Sequence, residues 1–105
     1  MARFVLAHTP GPRWAMGAPY ASQPGIEAHF GFMHSLAERS LLLAGGPYFD
    51  GVDDGRMVGM AIIETDDLAS AEAIAAEDGS VQAGLMRVEV REWGPRMGSW
   101  LDARD

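Results

Sequence analysis

The sequence predicts an α+β fold with its elements in the order β-α-β-β-α-β. Three observations carry this. Four short stretches have strand composition: RFVLAH from Arg3, LLLAGG from Leu41, RMVGMAIIE from Arg56 and LMRVEVREW from Leu85. Two stretches, Gly25 to Arg39 and Leu68 to Glu77, space their apolar residues as helices do, and they follow the first and third strands. Clusters of Gly, Pro and Asp separate the elements.

Within the first strand, Arg3 to His8, the residues Phe4, Leu6 and His8 point one way and Val5 and Ala7 the other. The strand stops at Thr9-Pro10-Gly11-Pro12. Residues 9–24 then carry four prolines together with Trp14 and Tyr20. A connection of this length in a small domain is either an ordered cover or a pocket wall.

In the first helix, Ile26, Phe30, Met33 and Ala37 recur at helical spacing and predict a buried stripe, with His29 and Leu36 on its flanks. Leu41 to Gly46, closed by Pro47, reads as a strand buried on both faces. Tyr48 to Gly55 (YFDGVDDG) is a turn region that makes a hairpin with the third strand. Asp67 is the expected N-cap of the second helix, whose inner stripe is Leu68, Ala71, Ile74 and Ala75. Asp78-Gly79 ends it, and 80–84 is expected to form a short turn of helix. In the last strand Met86, Val88 and Val90 alternate with Arg87, Glu89 and Arg91, giving one wet face.

Right-handed crossovers on a single sheet turn this order into the ferredoxin-like, split βαβ arrangement: an antiparallel sheet with two helices on one face. The first three strands are apolar on both sides, so the other face also needs a cover. A second copy packed sheet on sheet is the simplest cover, which predicts a homodimer. The domain is read as 1–94. In the tail, 95–105, Met97, Trp100 and Leu101 are able to dock on a partner.

Composition narrows the chemistry. The 105 residues carry 15 acids and 8 bases, net charge −7, which disfavours nucleic acid and anionic membrane surfaces as partners. All the bases are arginine, so lysine Schiff bases and the P-loop lysine are excluded. The absence of cysteine excludes disulfides, thiolate nucleophiles and Cys-ligated metals, and it fits a reducing compartment. No run is long enough for a membrane span and the N-terminus does not read as a signal peptide, so the expected location is cytoplasmic.

The topology gathers distant residues. The end where the first strand finishes is also where the first helix starts, the second strand finishes and the second helix ends. His8, His29, Gly46-Pro47, Asp50 and Asp78 are therefore expected along one edge. Two imidazoles and a carboxylate are the parts of a general acid–base site. Each also has a structural alternative: a satisfied core histidine for His29, a helix-ending turn for Asp78, a loop hydrogen bond for His8. His34 is expected to be structural or exposed. Asp50, Asp53 and Asp54 lack the spacing of a calcium loop and read as an acidic turn. A metal on His8, His29 and Asp78 would need all three to converge, and no close-spaced motif such as H-x-x-x-H joins plausible partners, so no metal or other cofactor is expected.

RFVLAHTPGP, the His29 helix followed by LLLAGGP, and AEAIAAEDGSVQAGLMRVEVREW, at their mutual spacing, resemble the YCII-related (YciI-like) family over residues 2 to about 94. The resemblance implies a ferredoxin-like fold paired into a dimeric α/β barrel. It also implies a His-Asp active-site dyad, which maps by motif to His29 and Asp78. Some relatives act on hydroxylated or chlorinated aromatic compounds as lyase-type enzymes. The function this implies is a small cofactor-independent enzyme of lyase or isomerase type, with His8, Trp14, Tyr20, Gly46 and Pro47 around a small-molecule ligand. The alternatives are a non-catalytic ligand-binding or accessory homodimer and a structural partner subunit. One departure stands out: the family usually has Pro and then an aromatic after the Asp, where this chain has Gly79 and Ser80.

Overall fold

Four strands form one antiparallel sheet in the order β2-β3-β1-β4 in the computed structural model, which describes residues 1–52 and 54–99. The strands are β1 (Ala2–Pro10), β2 (Leu42–Pro47), β3 (Gly59–Thr65) and β4 (Met86–Trp93). The helices are α1 (Ile26–Glu38), α2 (Leu68–Ala75) and a single-turn α3 (Gly79–Gln82). β1 lies inside the sheet, with His8 opposite Gly59 on one side and Val88 on the other. This is the ferredoxin-like arrangement. Asp53 and the tail residues Trp100 and Leu101 lie outside the described residues.

Strand alternation decides what faces the helices. Phe4, Leu6 and His8 of β1 are buried with Ala61 and Ile63 of β3, while Val88 and Val90 of β4 pack against the same cluster. Val5, Ala7, Met60 and Ile62 occupy the opposite face and are half-buried in the single chain, whereas Arg87, Glu89 and Arg91 are exposed.

Three expectations need correction. The buried stripe of α1 is Ile26, His29, Phe32 and Leu36, while Phe30 and Ala37 are exposed and Met33 is half-buried. Both stripes are apolar enough to face inward. The one containing His29 is chosen because that imidazole finds a buried partner, described below. Next, β2 is an edge strand that turns Ala44 to Pro47 to solvent, where a strand buried on both faces was expected. A bulge between Leu42 and Ala44 interrupts its pairing with β3. Leu68, placed in the inner stripe of α2, is 44% exposed.

α1 ends without glycine. Ser40 takes a left-handed conformation (φ 59°), its N–H bonds to Ala37 O, and the N–H of Leu41 reaches back to Leu36 O. That pair of bonds is a Schellman closure, and it turns the chain directly into β2. The core has two parts. Phe4, Leu6, Phe32, Leu36, Ala61, Ile63 and the α2 alanines make one, and Trp14, Ile26, Val52, Val58, Leu85 and Met86 make the other. Along β1, His8 follows the residues of the first cluster. Along α1, His29 falls between Ile26 of the second cluster and Phe32 of the first. The imidazoles therefore sit at the seam between the two.

Gly59 has no room for a side chain beside β2, since a Cβ there would lie 2.4 Å from Gly46 O and 2.8 Å from Pro47 Cα. Neither obstacle is a movable side chain. Gly59→Ala is expected to destabilise the protein by about 1–3 kcal/mol. Gly31→Ala, in the middle of α1 with open space around it, is expected to stabilise it by about 0.5–1 kcal/mol. Urea denaturation of the two variants checks both signs.

Candidate active site

His8, His29 and Asp78 meet although they come from three separate elements. His8 ends the inward-facing series of β1, and His29 lies one turn into α1. Asp78 is the N-cap of α3, in extended conformation (φ −67°, ψ 113°). Gly79 lets this cap approach α1 closely, since a Cβ at 79 would lie 3.1 Å from Cβ of Ala28. All three side chains are buried, at 2%, 6% and 0% exposure for His8, His29 and Asp78.

The two oxygens of Asp78 serve different partners. Oδ1 accepts the Ser80 peptide N–H at 2.9 Å and the Ser80 hydroxyl at 2.8 Å. Oδ2 accepts His29 Nδ1–H at 2.7 Å. Nε2 of His8 is also 3.3 Å from Oδ2, but off the direction a ring N–H needs, so it is a close polar contact without a formed hydrogen bond. The two rings stand edge to face, 4.8 Å between centroids and 69° between planes.

Burial alone would raise the Asp78 carboxyl. Hydrogen bonding from His29 and Ser80, the close approach of the His8 ring N–H and the charge of His29 together outweigh burial and hold it well below the usual carboxylate range. An ionised Asp78 only accepts, so Nδ1 of His29 carries the shared proton. In the neutral ring Nε2 is then left with a free lone pair. Tyr20 is raised above its usual value by partial burial and by the charge of Asp78, so it stays a neutral phenol.

A cavity of about 220 Å³ opens beside the imidazoles. His8, His29, Tyr20, Gly46 and Pro47 line it, so these expected site residues are brought together. Phe30, Met33, Val58 and Met60 add apolar walls. Phe30 and Met33 were assigned to the core by their spacing, and the ring of Phe30 packs edge-on against Tyr20 at 5.8 Å. Trp14 departs from expectation. It packs in the second core cluster with its Nε1 buried and without a hydrogen-bond partner, and it does not line the cavity. Asp50 is exposed in the turn after β2, and His34 is exposed on α1.

Two contributors were not found from the sequence. Gln23 is buried and clips the long connection together: its Oε1 accepts Ala15 N–H at 2.7 Å, and its Nε2 donates to Ala15 O at 2.8 Å and Ala18 O at 3.0 Å. This holds the single 3-10 turn Tyr20–Ser22 beside the cavity. The other is Ser80, whose position after Asp78 looked like a plain helix start.

His8, His29 and Asp78 also offer ligand atoms within 4.8 Å of one another, close enough to converge on a divalent ion. Two ligands on one tetrahedral zinc stay about 3.3 Å apart. The 2.7 Å between His29 and Asp78 is a proton-sharing distance, so the arrangement seen is the hydrogen-bonded one.

Because the folded carboxyl is depressed, Asp78 stabilises the fold fully above the unfolded value of about 3.9 and loses that contribution as the pH falls through the folded value. Asp78→Asn is expected to cost about 1.5–3 kcal/mol at pH 7, the scale of a hydrogen bond to a charged group. The difference from the parent should shrink steadily below about pH 4. Denaturation curves of both proteins at a series of pH values measure it.

A solved structure with the same fold is that of 5-chloro-2-hydroxyhydroquinone dehydrochlorinase (TftG) from Burkholderia phenoliruptrix AC1100, in complex with 2,5-dihydroxybenzoquinone. It is similar with a TM-score of 0.57 and 20% sequence identity, over 90% of this chain and 95% of that one. No curated protein matches the chain. The YCII-related domain matches residues 2–94, nearly all of the described structure, and the chain belongs to that family.

Proposed function

We propose that the protein is a small cofactor-independent enzyme of lyase or isomerase type, working in the cytoplasm on small hydroxylated aromatic compounds. The observation that carries this reading is the 2.7 Å hydrogen bond from His29 Nδ1 to the ionised, buried Asp78 at the wall of an apolar cavity. A carboxylate that fixes the tautomer at Nδ1 leaves Nε2 as a base, and it stabilises the imidazolium that forms when Nε2 takes a proton. The walls support this substrate class, since apolar contacts from Phe30, Met33 and Val58 combine with Tyr20 and His8 as polar anchors. The dehydrochlorinase with the same fold supports this class by analogy.

In the proposed reaction His29 Nε2 removes a proton from an activated O–H or C–H of the substrate. The released electron pair forms a new double bond as a leaving group departs with its own pair, or it is reprotonated elsewhere on the molecule. The imidazolium then returns its proton to water or product. The phenol of Tyr20 donates a hydrogen bond to a substrate oxygen as charge gathers there.

We propose further that two copies pack sheet on sheet through the half-buried face of Val5, Ala7, Met60 and Ile62. That face alternates strictly with the core residues and carries apolar side chains on both central strands.

Incubation with a chlorinated hydroxyquinol, with released chloride measured by ion chromatography, tests the chemistry. His29→Ala is expected to lower kcat/KM by about 10²- to 10⁴-fold, the range of general acid–base catalysis. Turnover by this variant at the parent rate would end the proposal. Sedimentation is expected to give twice the 11.3 kDa chain mass for the parent, and the single-chain mass for Ile62→Asp.

A further inference from the structure

We propose that Ser80 is a positioning residue for the His29–Asp78 pair. A carboxylate with two equivalent oxygens is free to present either one, and to share its charge between partners. Ser80 removes that freedom here. Its peptide N–H and its hydroxyl both end on Oδ1, at 2.9 and 2.8 Å, so both imidazoles must converge on Oδ2, at 2.7 Å for His29 and 3.3 Å for His8. The peptide N–H alone completes an N-cap. The hydroxyl adds a second, separately rotatable bond to the same oxygen. Ser80 is 1% exposed, and Asp78 is the hydrogen-bond partner of its hydroxyl. An ionised carboxylate cannot donate, so the direction of that bond is set, with the serine proton pointing at Oδ1. Two bonds on Oδ1 fix the rotation of the carboxylate about Cβ–Cγ. That rotation in turn aims Oδ2 along the ring N–H of His29. Ser80 thus acts on the imidazoles through Asp78 and does not touch the cavity.

The catalytic meaning of this assignment rests on the function proposed above, but its test does not need turnover. In the ¹⁵N-labelled 105-residue chain, the His29 Nδ1 proton is followed by NMR together with its exchange with solvent. Ser80→Ala keeps the peptide N–H and the α3 cap and removes only the hydroxyl. It is expected to speed exchange of the Nδ1 proton about tenfold or more, the effect of losing a hydrogen bond to a charged group. Ser80→Thr, which keeps a hydroxyl, should restore slow exchange. In the parent protein the Ser80 hydroxyl proton should itself exchange slowly, a measurement that depends on no variant. Parent-like exchange in Ser80→Ala, no rescue by Ser80→Thr, or a freely exchanging Ser80 hydroxyl would each overturn the proposal. If Ser80→Ala moves the Nδ1 proton while His29→Ala turns over normally, the catalytic reading fails and the positioning of the pair stands.

Discussion

A buried, ionised carboxylate is the constraint around which this domain is arranged. Removing such a group from water costs several kcal/mol unless hydrogen bonds and charge replace what water supplied. Asp78 recovers that cost by being filled on both sides: Ser80 takes one oxygen and the imidazoles take the other. Each of these neighbours needs a separate element in place. Ser80 requires α3 to start at residue 79, His29 requires α1 to turn that face inward, and His8 requires β1 to run through the middle of the sheet. The carboxylate therefore ties together elements that are remote in the chain, at the seam where the two apolar clusters meet.

The same interaction accounts for how α1 is rotated. Its sequence offers two apolar stripes, one with Phe30 and Met33 and one with Phe32 and Leu36, and hydrophobicity alone does not choose between them. The observed helix buries His29 and leaves Phe30 and Met33 to wall a cavity. A polar group is tolerated inside when it is satisfied there. The two large side chains do not lose their apolar contacts, because they are exchanged for contacts with Tyr20 and with Gly45, whose missing side chain makes room for the end of Met33.

Much of this was legible in the sequence. Alternation and helical spacing, with punctuation by Gly, Pro and Asp, give the element order and hence the topology. That topology alone brings His8, His29, Gly46, Pro47 and Asp78 to one end. Periodicity could not separate the two stripes of α1, because the deciding contact is 49 residues away. It also could not show that β2 is an edge. A short apolar run closed by Gly-Gly-Pro looks the same whether or not another strand lies beside it, and only the strand order settles the matter. Trp14 was misplaced for a similar reason: a tryptophan in a long loop fits a pocket wall and a plug for a small core equally well. Gln23 and Ser80 are common polar residues with no pattern around them, and their roles come from what folding puts within reach.

The exposed rim of β2 bears on how copies of this chain can and cannot associate. A bare strand margin is an invitation to uncontrolled polymerisation through main-chain ladders. Here the margin is spoiled in three ways: the bulge after Leu42 throws the repeat out of step, the paired glycines offer an incoming strand no side chains to grip, and Pro47 has no N–H to give. Fibre-like growth along that margin is thereby discouraged, which is compatible with the face-to-face pairing proposed above.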